Sequence, residues 1–444
     1  LLRVPGLADS NVRQAAIRIL TAVLRDGRSL SELLPAAQND LDAREAALLQ
    51  ALTFGVCRNY GKLSAVVEEL LKKPLRNKDT DVRVLIWLAL YEIGFMRTPD
   101  YAVTSSYVDL TRKIKKNWAR GFVNGTLREF LRRQQELTES ASIKSPHSLP
   151  EWMQKRIVKD WPDHSEAVFV AFNTRAALTI RANASVTNRE TLIAKLDDAG
   201  LQVEKCEFAA NGIRISDAPP VTSLPGFSEG EFSVQDQSAQ LAASVLQPEA
   251  GERVLDACAA PGGKSCHLRE LAPAIELVCL DEDAKRIERI EQNLNRLKLK
   301  AKVLCGDAAT PDTWWDRRPF DAILLDAPCS ALGVLRKHPD IRLLRRESDI
   351  PALSRQQLEL LRALWPLLKP GGRLIYATCS VLKQENEDCV EKFLAETTDA
   401  AESPIDAEWG IAASRGRQIL PGQHQADGFF YAKLQKADAG ASLL

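Results

Sequence analysis

The sequence predicts a multidomain chain: an all-α helical bundle over residues 1–140, a linker and small α+β unit over 141–234, and a doubly wound α/β domain over 235–444. Three observations predict this. Apolar residues recur at helical spacing through the N-terminal part. From Gln235 onward, short apolar runs alternate with helical patterns. And 444 residues are too many for a single core.

In the first part, Ser10 is read as an N-cap. Val12, Ala15, Ala16, Ile19, Leu20, Val23 and Leu24 then form one stripe, and Gly27 stops the helix. Asp42 and Asp81 are read as later caps, the second opening a helix with Val84, Leu85, Leu88 and Tyr91. From Gly121, Phe122, Val123, Leu127, Phe130 and Leu131 share one side, and Arg128, Arg132 and Arg133 the other. This gives a bundle with one basic face. The polar stretch 138–150 reads as a linker. In the middle unit, strands are expected at 177–182, 203–208 and 213–216, with Asn188 capping a helix that stops at Gly200. A helix over 238–246 then leads into strands at 254–256, 275–280, 302–304, 322–325 and 373–376.

The net charge is zero, yet the first 150 residues carry seven more basic than acidic groups. Much of this excess lies between Arg112 and Arg133, which fits either a polyanionic partner or a solvated helix face. No apolar run is long enough to span a bilayer, and no secretory signal pattern opens the chain. Nine cysteines without a C-x-x-C pair predict reduced thiols in a cytoplasmic protein and no metal. Monomer is the default state.

The run Cys258-Ala259-Ala260-Pro261-Gly262-Gly263-Lys264 follows an expected strand and opens a helix. Two glycines let a ligand approach the backbone, although an ordinary tight turn has the same composition. It is neither G-x-G-x-x-G nor a Walker loop. Asp281, Asp307 and Asp326 end the next three strands. Asp281 can accept from both ribose hydroxyls and Asp307 from an adenine amino group, so the set points to an adenosyl ligand. Each acid singly is also a plausible cap. Cys329 and Cys379 both follow apolar strands that would end at the same crevice. A lone cysteine reads as a small buried hydrophobe; two at one cofactor site suggest covalent catalysis.

Residues 235–444 resemble the RNA cytosine-C5 methyltransferases. The resemblance rests on Val234-Gln235-Asp236-Gln237-Ser238, the Cys258-to-Lys264 turn, Asp326-Ala327-Pro328-Cys329-Ser330, Ala377-Thr378-Cys379-Ser380, His338-Pro339-Asp340 and Asp427-Gly428-Phe429-Phe430. The N-terminal part, with Phe122-Val123-Asn124-Gly125-Thr126-Leu127-Arg128, resembles the NusB RNA-binding fold. That fusion is typical of the methyltransferase B type acting on 16S rRNA. The resemblance implies a Rossmann-like domain that uses S-adenosyl-L-methionine, held by the Cys258-to-Lys264 turn and by Asp281, Asp307 and Asp326. It implies Cys379 as nucleophile, Cys329 as the group assisting elimination, Asp326 on the cytosine edge and Lys264 nearby. It implies 16S rRNA as partner; the family name attaches cytosine 967, which no residue encodes. In the DNA enzymes the cysteine after proline attacks, which would be Cys329 here; the Thr-Cys motif favours Cys379.

The chemistry asks for such residues independently. Carbon 5 of cytosine is a poor nucleophile until a thiolate adds at carbon 6. The adduct then carries a proton on carbon 5 that a base must remove. Lys115, Lys116, Arg120, Arg128 and Arg132 are candidate RNA contacts, as are Arg336, Lys337 and His338, with Arg342, Arg345 and Arg346 beside them. Trp314 and Trp315 are expected to pack in the core rather than stack on a base. Alternatives are a tRNA or DNA cytosine-C5 methyltransferase, or a non-catalytic RNA-binding assembly factor.

Overall fold

A computed structural model describes residues 7–438. They fall into two units. One comprises residues up to Lys159 together with Phe172–Thr174 and Leu335–Arg346; the other comprises Asp160–Ala171, Arg175–Val334 and the chain from Glu347.

The first unit is helical: α1 (Leu7–Asp26), α2 (Leu30–Gln38), α3 (Ala43–Arg58), α4 (Tyr60–Leu70), α5 (Thr80–Phe95), α6 (Asp100–Lys113), α7 (Ala119–Arg132) and α8 (Gln134–Lys144). Helix α5 is apolar nearly all round, with Val82, Val84, Leu85, Ile86, Leu88 and Ala89 all buried, so it forms the centre of the bundle. Its one buried acid, Glu92, accepts from Arg13 (2.5 and 2.9 Å) and from the Tyr107 hydroxyl (3.1 Å). Asp42 caps α3 in a reciprocal box with Glu45. Three expectations need correction. Helix α1 begins at Leu7, so Ser10 lies inside it. Helix α5 begins at Thr80, which puts Asp81 in its first turn. Residues 138–144 are helical, because Leu137 and Ala141 lie one turn apart and both enter the bundle core.

Helices α9 (Glu151–Asp160) and α10 (Ser165–Asn173) precede the first strand. The second unit opens with a small antiparallel sheet of β1 (Leu178–Ala182), β2 (Val203–Lys205), β3 (Gly212–Ile215) and β4 (Phe232–Val234), in the order β2-β3-β1-β4. Helix α11 (Arg189–Asp198) is capped by Asn188 and lays Leu192 and Leu196 against Ile180, Ile213, Ile215 and Phe232. The strand expected over 203–208 ends at Lys205, and the three-residue β4 is too short to carry an alternation signal.

The large sheet is built from β5 (Arg253–Ala257), β6 (Glu276–Asp281), β7 (Lys302–Cys305), β8 (Phe320–Asp326), β9 (Leu368–Thr378), β10 (Ala400–Glu402), β11 (Ile411–Ala412), β12 (Arg417–Ile419) and β13 (Phe429–Lys436). Its order is β11-β12-β13-β9-β8-β5-β6-β7, with β10 on β13. Strands β5 to β9 are parallel, whereas β13 runs antiparallel to β9. Helices α12 (Gln237–Leu246), α13 (Gly263–Leu271) and α14 (Ala284–Arg296) contribute to the core on one face; α16 (Asp349–Leu364) and α17 (Glu387–Glu396) to the core on the other. The short α15 (Ile341–Leu344) belongs to the helical unit. Strand order reverses at β5, between β6 and β8, which opens a crevice at the carboxyl ends of those strands.

Candidate active site

Strand β5 delivers the Cys258-to-Lys264 turn to that crevice. Gly262 has φ of +94° and packs against α14, where a Cβ would lie 3.2 Å from the Ile290 Cα; both constraints call for glycine. Helix α13 starts at Gly263, whose Cα faces open space. Asp281, at the end of β6, is buried and accepts from the amides of Ala260 (3.0 Å) and Asp283 (3.2 Å). Asp307, beyond β7, is exposed and accepts from the Ala309 amide (2.8 Å). Trp314 and Trp315 pack against the core, and the Trp314 ring nitrogen donates to the Asp307 carbonyl (2.8 Å).

Asp256, on β5, is fully buried; Oδ2 accepts from the Ser265 hydroxyl, and Oδ1 has no partner. Burial pushes its carboxyl up to about 7 against the opposing pull of Ser265. An acid raised on folding holds its proton more tightly folded than unfolded. The stability linked to Asp256 is therefore full below its ordinary value of 3.8 and declines as pH rises to about 7. Asp256→Asn is expected to remove a decline of about 3 kcal/mol between about pH 5 and about pH 8, at about 1.4 kcal/mol per pH unit. Urea melts at the two pH values measure it; a variant that keeps the full decline places the titrating group elsewhere.

Strands β8 and β9 bring the thiols together. Cys329 Sγ and Cys379 Sγ lie 3.4 Å apart, and both residues are half-buried. The hydrogen bond to Cys379, burial and the Cys379 charge, in that order, hold the Cys329 thiol well above the ordinary thiol range. Cys57, Cys258, Cys266, Cys279 and Cys389 are pushed up chiefly by burial. Beside the pair, Lys264 Nζ donates to Asp326 Oδ2 at 2.6 Å and stands 4.8 Å from the centre of the Phe429 ring. Burial alone would depress Lys264; the Asp326 charge and hydrogen bond outweigh it, and the ammonium is held above its ordinary value. The motifs around Asp236 and Asp427 also converge. Asp236 Oδ1 accepts from the amides of Ser238 (3.0 Å) and Asp427 (2.9 Å).

Several residues here carry no sequence signal of their own. Arg181, on β1, is fully buried; it pairs with Glu270 (2.7 Å) and donates to the Gly263 carbonyl (3.0 Å), tying the small sheet to the first residue of α13. Gly333 lets three segments meet, since a Cβ there would fall 2.2 Å from the Gly428 carbonyl oxygen and 2.7 Å from that of Cys379. Glu385 is completely buried among the residues that follow the two cysteines.

The expected RNA contacts divide. In the helical unit Arg120 and Arg128 are exposed, with Arg120 3.7 Å from Asp109. Lys115 is exposed, and Arg132 pairs with Glu129. Lys116 is half-buried and pairs with Asp79 (2.9 Å) and Asp81 (3.5 Å). The segment around His338-Pro339-Asp340 is part of the helical fold rather than an open phosphate loop. Asp340 accepts from the Leu30 amide (2.8 Å). Buried Arg342 donates to the carbonyls of Arg58 (2.6 Å), Ser148 (3.2 Å) and Phe172 (3.2 Å). Arg336 is buried as well, Lys337 half-buried and His338 exposed.

A parallel sheet reversing at β5, with a glycine turn and acid-ended strands at its crevice, defines a Rossmann-like methyltransferase. Residues 243–435 match the 16S rRNA methyltransferase RsmB/F family, residues 10–132 the NusB family, and residues 149–222 the ferredoxin-like domain of RsmF/B-like methyltransferases. A ribosomal RNA small subunit methyltransferase B of Pseudomonas putida is 43% identical over 97% of this chain and 99% of its own. One from Klebsiella pneumoniae is 42% identical over 96% and 98%. Among solved structures, that of PH0851 covers 98% of this chain and 100% of its own at 26% identity, with a TM-score of 0.83. A methyltransferase homolog from Pyrococcus horikoshii covers 66% and 96% at 27% identity and TM-score 0.58. The chain belongs to the 16S rRNA methyltransferase RsmB/F family and is an rRNA methyltransferase.

Proposed function

We propose that this chain methylates carbon 5 of a cytosine in small-subunit rRNA, cytosine 967 by the family's name, through a transient bond between Cys379 and carbon 6. The observation that carries the reading is the 3.4 Å approach of two thiols beside an Asp326–Lys264 pair. S-adenosyl-L-methionine, when bound, supplies an electrophilic methyl group. The residues fit an adenosyl ligand: Gly263 opens onto free space, acids end β6 and β8, and buried Asp256 Oδ1 lacks a partner. The Cys258-to-Lys264 turn, Asp281, Asp307 and Asp326 would hold it.

In this reading Cys379 Sγ bonds to carbon 6, and the ring electrons move toward carbon 5, which takes the methyl group. Asp326, fixed by Lys264, faces the amine edge of the base. Cys329 then takes the carbon 5 proton, and the sulfur–carbon bond breaks with its electron pair returning to Cys379. The order has a physical basis. Two causes that hold Cys329 as a thiol, the hydrogen bond to Cys379 and its charge, disappear once that sulfur is bonded to carbon. Adduct formation therefore makes Cys329 easier to ionise, the direction that a base for the carbon 5 proton requires. The target base must leave its stack to reach the thiols.

The test is mapping of methyl groups on small-subunit RNA incubated with enzyme and labelled S-adenosyl-L-methionine, beside tRNA and duplex DNA. Label at carbon 5 of one cytosine in the ribosomal RNA is expected; label confined to tRNA or DNA, or at another atom, rejects the reading. The exposed basic groups Lys115, Arg120 and Arg128 are further proposed as phosphate contacts. Replacing all three with alanine should reduce the slope of log affinity against log salt by about 2, at about 0.7 per contact on single strands. An unchanged slope clears this face of the role.

A further inference from the structure

We propose that Glu385 is a positioning residue that sets the separation of the two reactive thiols by gripping the chain directly after each of them. The inference deepens the covalent reading above and rests on it for its catalytic consequence. The geometry is a closed hub. Glu385 Oε1 accepts from the Ser330 amide (2.7 Å) and from the Gln357 side chain (3.2 Å); Oε2 accepts from the Ser380 hydroxyl (2.5 Å). Ser330 and Ser380 are the residues that follow Cys329 and Cys379, and their hydroxyls lie 3.1 Å apart. The hub is itself held. The Tyr376 hydroxyl donates to the Glu385 carbonyl (2.5 Å), and Gln357 also donates to the Pro328 carbonyl (2.9 Å). Asn386 donates to the Ser380 carbonyl (3.1 Å), and the Ser380 hydroxyl accepts from the Leu382 amide (3.0 Å).

Every one of these residues is buried or sits in the backbone of the two cysteine loops. The sheet does not fix the loops by itself. Strands β8 and β9 pair only up to Asp326 and Ala377, and both thiols lie beyond that pairing. Strand pairing therefore places the loops side by side, and the carboxylate bridges them where ladder hydrogen bonds have ended. A carboxylate suits the task because its two oxygens accept from two loops at once, and hydrogen bonds to a charged acceptor are the stronger kind.

Two measurements separate this role from a merely structural one. The first needs no turnover: the enzyme is treated with diamide, a thiol oxidant, and the Cys329–Cys379 disulfide is counted by peptide mass spectrometry. The pair is expected to close readily in the wild type, about 10-fold or more slowly in Glu385→Ala, and near the wild-type rate in Glu385→Gln, whose amide keeps one acceptor for Ser330 and a donor for Ser380. The second is steady-state transfer, with kcat of Glu385→Ala down about 100-fold and KM for RNA within about 3-fold, since an error of about 1 Å between reacting groups costs about that much. If the alanine variant does not fold, Ser380→Ala removes the hydroxyl bridge, with its contacts to the Ser330 hydroxyl and the Leu382 amide, while keeping Glu385, and is expected to slow disulfide closure in the same direction. Wild-type closure rates in folded Glu385→Ala, or in Ser380→Ala, overturn the proposal. Should closure slow while transfer is unaffected, the hub positions the thiols and the covalent reading, not the hub, is at fault.

Discussion

Cys379→Ser is expected to lower methyl transfer to small-subunit RNA by at least about 1000-fold, with folding intact. The side chains differ by one atom, yet a hydroxyl is far less acidic than a thiol and far less suited to conjugate addition on a pyrimidine. Cys329 is not expected to replace it: it stands on the other loop, and burial and the Glu385 charge still hold its thiol up. Removing the Cys379 charge leaves burial acting on Cys329. Transfer of labelled methyl to RNA measures the effect, with a thermal melt to confirm the fold. Wild-type transfer by the serine variant removes Cys379 from the reaction and with it the covalent mechanism.

Cys329→Ala is expected to behave differently: turnover stops, and enzyme accumulates as a covalent complex with RNA. The alanine leaves Cys379 and the Asp326–Lys264 pair in place, so addition and methyl transfer proceed. What is lost is the sulfur 3.4 Å from the nucleophile that would remove the carbon 5 proton. The adduct then waits on water, and a complex stable in denaturing gels should appear in proportion to enzyme. It should be absent from Cys379→Ser and from the double variant. Normal turnover without such a complex assigns the proton to another base.

The parts of the site that sit on regular elements were legible in the chain. Asp281 and Asp326 end strands, and the glycine turn follows one, because buried parallel strands are short apolar runs whose ends are marked by the first polar residue. Cys329 and Cys379 were legible by the same rule. Their 3.4 Å approach was not, since it depends on which strands are neighbours. The C-terminal antiparallel strands also went unread. Strands β10 to β12 have only two or three residues each, and β13 is buried for half its length, which hides the alternation.

The basic residues were legible only as cations. Lys116, Arg342, Arg120 and Arg128 carry the same signal in the chain, but Lys116 is half-buried between Asp79 and Asp81, Arg342 is buried under carbonyls, and Arg120 and Arg128 are exposed. Charge in a sequence reports a cation and says nothing of whether the fold has already used it. Glu385 and Arg181 are ordinary charged residues in the chain and buried hubs in the fold.

The amino-acid order by itself determined the three kinds of domain, the strand-ending acids, the glycine turn and the identity of the two thiols, because these follow from local periodicity and residue chemistry. Only the tertiary structure decided the sulfur-to-sulfur distance, the Lys264–Asp326 pair and the carboxylate that bridges both cysteine loops. Those depend on residues dozens of positions apart meeting in a low-dielectric interior, where an unpaired polar group is costly and most find a partner.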